Sequence, residues 1–125
     1  MLITLGGKHR DALTSLFMFD ITKKTPLKEI GSTLVEATHR ATGASIIHIQ
    51  NDDRENFFSL CFQTYPENST GVAHILEHTV LCGSKKFPVK DPFFGMIKRS
   101  LNTFLNAMTG ADFTCYPGAS CIEQD

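Results

Sequence analysis

Basic residues are not in excess in this chain. Twelve lysines and arginines stand against 13 aspartates and glutamates, giving a net charge of −1 and a pI near 6.5. With no surplus to neutralise phosphates, no nucleic-acid partner is expected. No apolar run approaches the roughly 20 residues that span a bilayer, so no membrane partner is expected either. The opening stretch, Met1 to Asp11, has neither a basic lead nor a small-residue cleavage site after an apolar block. Export is not expected and no transit peptide is visible, which points to the cytoplasm, or to an organelle matrix in a eukaryote. Cys61, Cys82, Cys115 and Cys121 lack the paired short spacing of zinc ribbons and redox motifs. At 42% hydrophobic content over 125 residues, one core can form without crosslinks, so these cysteines read as reduced, mostly buried thiols. Internal repeats and low-complexity segments are also absent.

What is present is concentrated in Gly71 to Leu81, where His74, Glu77 and His78 form His-x-x-Glu-His. Residues four apart on a helix sit one turn above each other, so both imidazoles can aim at one point with Glu77 on the adjoining edge. Two neutral imidazoles make half of a zinc site, and a neighbouring carboxylate can act as general base toward an activated water. The pattern is the inverted form of the zincin signature. In the competing reading, two of five histidines fall four apart by coincidence, on a helix held by the packing of Val72, Ile75, Leu76, Val80 and Leu81. The flanks favour the metal: Ser69 or Thr70 can cap the first turn, and Gly83 can end the helix with a left-handed residue. Asn68-Ser69-Thr70 fits the glycosylation pattern, but a glycan there would crowd the helix, and the segment reads as its cap.

The run Asn68 to His78, the stretch Val80 to Phe93, Ser100 to Thr109 and Thr114 to Pro117 together closely resemble the presequence-protease branch of the pitrilysin and insulysin zinc metallopeptidases. The resemblance extends from about Ile30 to Ser120. It implies a zinc endopeptidase that cuts unstructured peptides, such as cleaved targeting sequences, inside a chamber built by a chain several times longer. It implies that His74 and His78 are zinc ligands, that Glu77 is the general base, and that Asn106 and Ala107 line the cleft, where an extended substrate pairs with backbone. The family takes its third ligand from a glutamate on a later helix, farther from Glu77 than the residues here extend. It takes an arginine and a tyrosine for the oxyanion from its other half. Residues 30–125 are thus expected to be the N-terminal part of a catalytic domain whose remaining part and C-terminal half act as partners. Glu123, Asp125, Asp112, Cys82 and Cys115 are open as alternative third ligands, though each fits a surface acid or small thiol better. A relative that only binds peptide or a partner chain is the alternative to a peptidase.

Along the chain, residues 1–29 read as an N-terminal arm with an apolar patch from Leu13 to Phe19. Leu34–His39 and Ala44–Ile49 read as a hairpin, and Phe57–Thr64 as a strand inside a sheet. His39 and His48 lie on these strands and read as histidines satisfied by neighbours rather than ligands. Asp91-Pro92 opens a second helix to Arg99, and short strands are expected near 104–109 and 113–116. The cluster of Lys85, Lys86, Lys90, Lys98 and Arg99 reads as a solvated rim. This order predicts an α+β, two-layer domain with a mostly antiparallel sheet and helices on one face, a partial pitrilysin/insulysin-type domain.

Overall fold

The computed structural model describes residues 2–7, 18–99 and 102–121. Its centre is one eight-stranded sheet in the order β2-β3-β4-β1-β5-β8-β6, with β7 also paired to β8. The strands are β1 (Leu2–Gly7), β2 (Phe19–Leu27), β3 (Ser32–His39), β4 (Ser45–Gln50), β5 (Asn56–Gln63), β6 (Asn102–Leu105), β7 (Met108–Thr109) and β8 (Phe113–Ser120). Pairing is antiparallel throughout except between β1 and β4. Two helices, α1 (Val72–Val80) and α2 (Pro92–Arg99), lie between β5 and β6 in sequence. α1 packs against β7 and β8, and α2 against β6. The fold class is the α+β one expected.

The β3–β4 hairpin forms as its β-branched runs predict, with Val35 opposite His48 and Ala37 opposite Ile46. All four are buried, so alternate positions of both strands feed one face of the core, as a period of two requires. β5, Asn-Phe-Phe-Ser-Leu-Cys-Phe-Gln, runs between β1 and β8 as the expected strand inside a sheet, although Phe57, Phe58 and Phe62 stay 37–45% exposed.

Residues 1–29 are more than an arm. Leu2–Gly7 forms an inner strand between β4 and β5, and Phe19–Leu27 forms the outer strand beside β3. The polar run Thr22 to Pro26 obscured β2 because an edge strand has that composition: Lys23, Lys24 and Pro26, with a register shift between Ile21 and Lys23, discourage further pairing. Most of the apolar patch Leu13–Phe19 lies outside the described residues.

The thiol reading is also corrected. Cys61 and Cys115 are directly opposed on β5 and β8, with Cα atoms 4.2 Å apart, and are joined in a disulfide. Cys82 and Cys121 are free and exposed rather than buried. The pairing depends on strand register across 54 residues, which no local spacing reveals.

Pro117 accounts for the interruption between β6 and β7. A residue's N–H and C=O point to the same side of an antiparallel strand. The Pro117 carbonyl accepts from the Asn106 amide at 3.1 Å, so its missing N–H faces the same line. The β6–β7 line therefore breaks at Asn106-Ala107 and resumes at Met108.

Candidate metal centre

α1 delivers the signature as its spacing predicts. The Nε2 atoms of His74 and His78 lie 3.2 Å apart, with ring centroids separated by 4.9 Å. Two nitrogens that each sit about 2.0–2.1 Å from a tetrahedral zinc are about 3.3 Å apart, so this pair fits two positions of one coordination sphere. Both histidines are exposed, whereas Glu77 retains only 5% of its accessible surface and is the buried residue of α1. A carboxylate removed from water needs a partner, and the Thr109 hydroxyl donates to its Oε2.

Thr109 is held by its hairpin. It pairs with Thr114, and the Gly110 amide donates to the Phe113 carbonyl at 2.8 Å. Thr114 is itself buried and shares a hydroxyl–hydroxyl hydrogen bond of 2.9 Å with Thr64. Tyr116, two residues farther along β8, lies close enough to sense Glu77. Burial, and secondarily the Glu77 charge, push its phenol above the ordinary value. Its ring meets Phe62 edge-on at 6.1 Å. Sequence reasoning singled out neither Thr109 nor Tyr116 individually, since only the β7–β8 register brings them to α1.

The ends of α1 differ in detail from expectation. Neither Ser69 nor Thr70 caps it. Asn68 accepts the Thr70 amide at 3.1 Å, and Gly71 takes the cap position with φ 73° and its carbonyl bound by Ile75. Past the helix, Gly83 has φ 127°, and a Cβ there would lie 2.6 Å from the Val89 carbonyl oxygen. The residues proposed to bury α1 do not: Val72, Ile75, Leu76 and Val80 are 50–66% exposed. Packing of those side chains among the described residues therefore does not explain the helix.

A cleft of about 1200 Å³ opens beside His74, lined among others by Leu60, Phe62, Val72, Leu76 and Tyr116. Asn106, exposed, and Ala107, half-buried, sit at the β6–β7 break, and their amides are engaged. Asn106 N–H donates to Pro117, and Ala107 N–H to the Asn106 side-chain oxygen at 2.9 Å. Among the described residues, no third His, Cys, Asp or Glu joins the histidine pair as a cluster. Cys115 is consumed by its disulfide, and the Cys82 thiol contacts the His78 carbonyl at 3.4 Å. Asp112 lies exposed in the β7–β8 turn, and Glu123 and Asp125 fall outside the described residues. His39 bonds Thr42 at 2.8 Å and lies at a tilt against the Phe19 ring, and His48 is buried between strands.

No family model matches the chain. It is 51% identical over 107 residues to the mitochondrial presequence protease of Kluyveromyces lactis, an alignment that covers 86% of this chain and 11% of the relative. The mouse protein of the same name is 52% identical over 99 residues, covering 79% and 10% respectively. The Saccharomyces cerevisiae protein is 50% identical over 107 residues, covering 86% and 11%. Identity at this level over 79–86% of its length makes the chain a member of the presequence-protease family that spans about a tenth of the length of the curated relatives it matches.

Proposed function

We propose that this chain contributes the zinc-binding helix and general base of an endopeptidase that hydrolyses unstructured peptides, cleaved targeting sequences among them. The observation that carries the reading is the convergence of the His74 and His78 Nε2 atoms at 3.2 Å beside a buried, hydrogen-bonded Glu77. Zinc, when bound, supplies a Lewis acid that acidifies a water and polarises the scissile carbonyl. His74 and His78 would hold it through Nε2. Glu77 takes the proton from the attacking water and returns it to the leaving amine. The cleft beside His74 receives the substrate, with Asn106 and Ala107 proposed to pair with its backbone after the Asn106 side chain releases the Ala107 amide. A mitochondrial location is proposed from the names of the relatives. Among the described residues, no helix is long and apolar enough to cross a membrane.

A second reading, a peptide- or partner-binding relative without turnover, is favoured by one observation: the described residues supply two ligands, and a catalytic zinc ordinarily has three. Zinc titration by calorimetry into the full-length gene product, as wild type and with His74→Ala and His78→Ala combined, tests the site. The metal reading expects affinity to collapse in the double variant, and equal affinity for both proteins would remove it. Zinc-dependent cleavage of an unstructured peptide separates the two functions.

A further inference from the structure

We infer that Thr109 is the positioning residue of Glu77: its hydroxyl holds one carboxylate oxygen in place so that the other is presented to the reacting water beside His74 and His78. The inference rests on the proposed role of Glu77 and adds a residue 32 positions away on a different element.

A glutamate on a helix has three rotatable side-chain bonds and, left free, aims its carboxylate at any one point only part of the time. Glu77 is not free. It is buried against the β7–β8 hairpin, and Oε2 accepts from Thr109 Oγ1, while Oε1 takes no hydrogen bond from any described residue. The division of labour follows: one oxygen is fixed and the other remains available as a proton acceptor. A base must lie within hydrogen-bond reach of the proton it removes, and misplacement by about 1 Å can cost on the order of a hundredfold in rate.

Thr109 suits the task because its own position is determined twice. Branching at Cβ restricts its χ1. Its strand is closed by the Gly110-to-Phe113 hydrogen bond and pinned through Thr114, whose hydroxyl contacts Thr64 at the end of β5. The donor is therefore referenced to the central sheet, whereas the helix it serves buries little else.

The test uses the full-length gene product with Thr109→Val, which keeps the branched shape and removes the donor, and Thr109→Ser, which keeps the donor and removes the methyl. Two readouts are taken: kcat and KM on a quenched fluorogenic peptide, and the conformation of Glu77 in crystals of the metal-free protein. Thr109→Val should lower kcat about tenfold or more while KM stays within about threefold, and Thr109→Ser should remain within about threefold of wild type. Glu77 should occupy more than one conformer in the Val variant and one in the Ser variant. Wild-type kcat in Thr109→Val, a single unchanged Glu77 conformer in it, or equal impairment of both variants overturns the inference, the last by assigning the effect to methyl packing. Glu77→Gln serves as the control for the underlying reading. If cleavage is indifferent to it, the proposed base is wrong, while the conformer readout still decides whether Thr109 holds the side chain. Should Thr109→Val fail to fold, Thr109→Ala against Thr109→Ser supplies the same comparison.

Discussion

Glu77 shows how one residue's environment selects its use. On α1 the apolar side chains face out and the carboxylate faces in, the reverse of an ordinary amphipathic helix packed on a sheet. Burial of a carboxylate with a single hydroxyl donor has a cost, and the proposed role of Glu77 as general base would give that cost a purpose. Substituting glutamine retains the volume and the Thr109 contact but abolishes proton acceptance. Glu77→Gln is therefore expected to leave zinc content and peptide affinity near wild type while kcat falls about 10²–10⁴-fold, measured with metal analysis on the same samples. Retained turnover would mean that another group takes the proton. The histidine pair and the glutamate were legible in the sequence because helical spacing alone brings them together. Thr109 and Tyr116 were not, because their proximity depends on a hairpin register set by residues up to 50 positions apart.

At the scale of elements, the sequence revealed those whose pattern is local. The β3–β4 hairpin, β5 and both helices follow from periodicity and turn residues near their observed bounds, whereas the strand expected near 104–109 is split into β6 and β7 and the one expected at 113–116 runs on to Ser120. It did not reveal β1 and β2, one an inner strand whose partners are remote in sequence and the other an edge strand with an edge's polar composition. Two glycines around α1 allow their roles to be compared. Gly71 needs a positive φ, but a Cβ there meets nothing within 4 Å, whereas at Gly83 the φ of 127° is joined by a backbone oxygen 2.6 Å away. Gly71→Ala should cost about 1 kcal/mol and Gly83→Ala about 2–3 kcal/mol or more, because the Val89 carbonyl cannot move aside as a side chain would. Denaturant midpoints compared at constant m-value check the order, and equal midpoints would contradict it. The β5–β8 disulfide gives a direct chemical expectation. Alkylation of the denatured, unreduced protein should modify Cys82 and Cys121 alone, and prior reduction should add Cys61 and Cys115. Four modified cysteines without reductant would show that the opposed pair stays as thiols.

Across the whole molecule, the buried apolar side chains among the described residues are Val35, Ala37, Ile46 and Ala119 on strands of the sheet and Ala44 just before β4, while large apolar side chains on α1, α2 and the segment between them lie open. Val72, Ile75, Phe87, Val89 and Phe94 are each more than half exposed. Among the described residues, the scaffold thus presents the signature helix with its histidine pair and buried Glu77 but does not bring a third His, Cys, Asp or Glu to the pair as a cluster. Catalysis in a metallopeptidase draws on a full ligand set, an oriented base and donors for the developing oxyanion, and the loss of oxyanion donors alone typically removes about 10²–10³-fold in rate. The 125-residue polypeptide on its own is therefore expected to bind zinc weakly and to leave a quenched fluorogenic peptide uncut even with zinc in excess. When it is assayed beside a separately expressed downstream half from a full-length relative, cleavage that requires both polypeptides and Glu77 would locate the missing groups outside these residues. Zinc-dependent cleavage by the 125-residue polypeptide alone, abolished by Glu77→Gln, would instead mean that one of its own side chains completes the site, with Glu123, Asp125 and Asp112 the first to substitute.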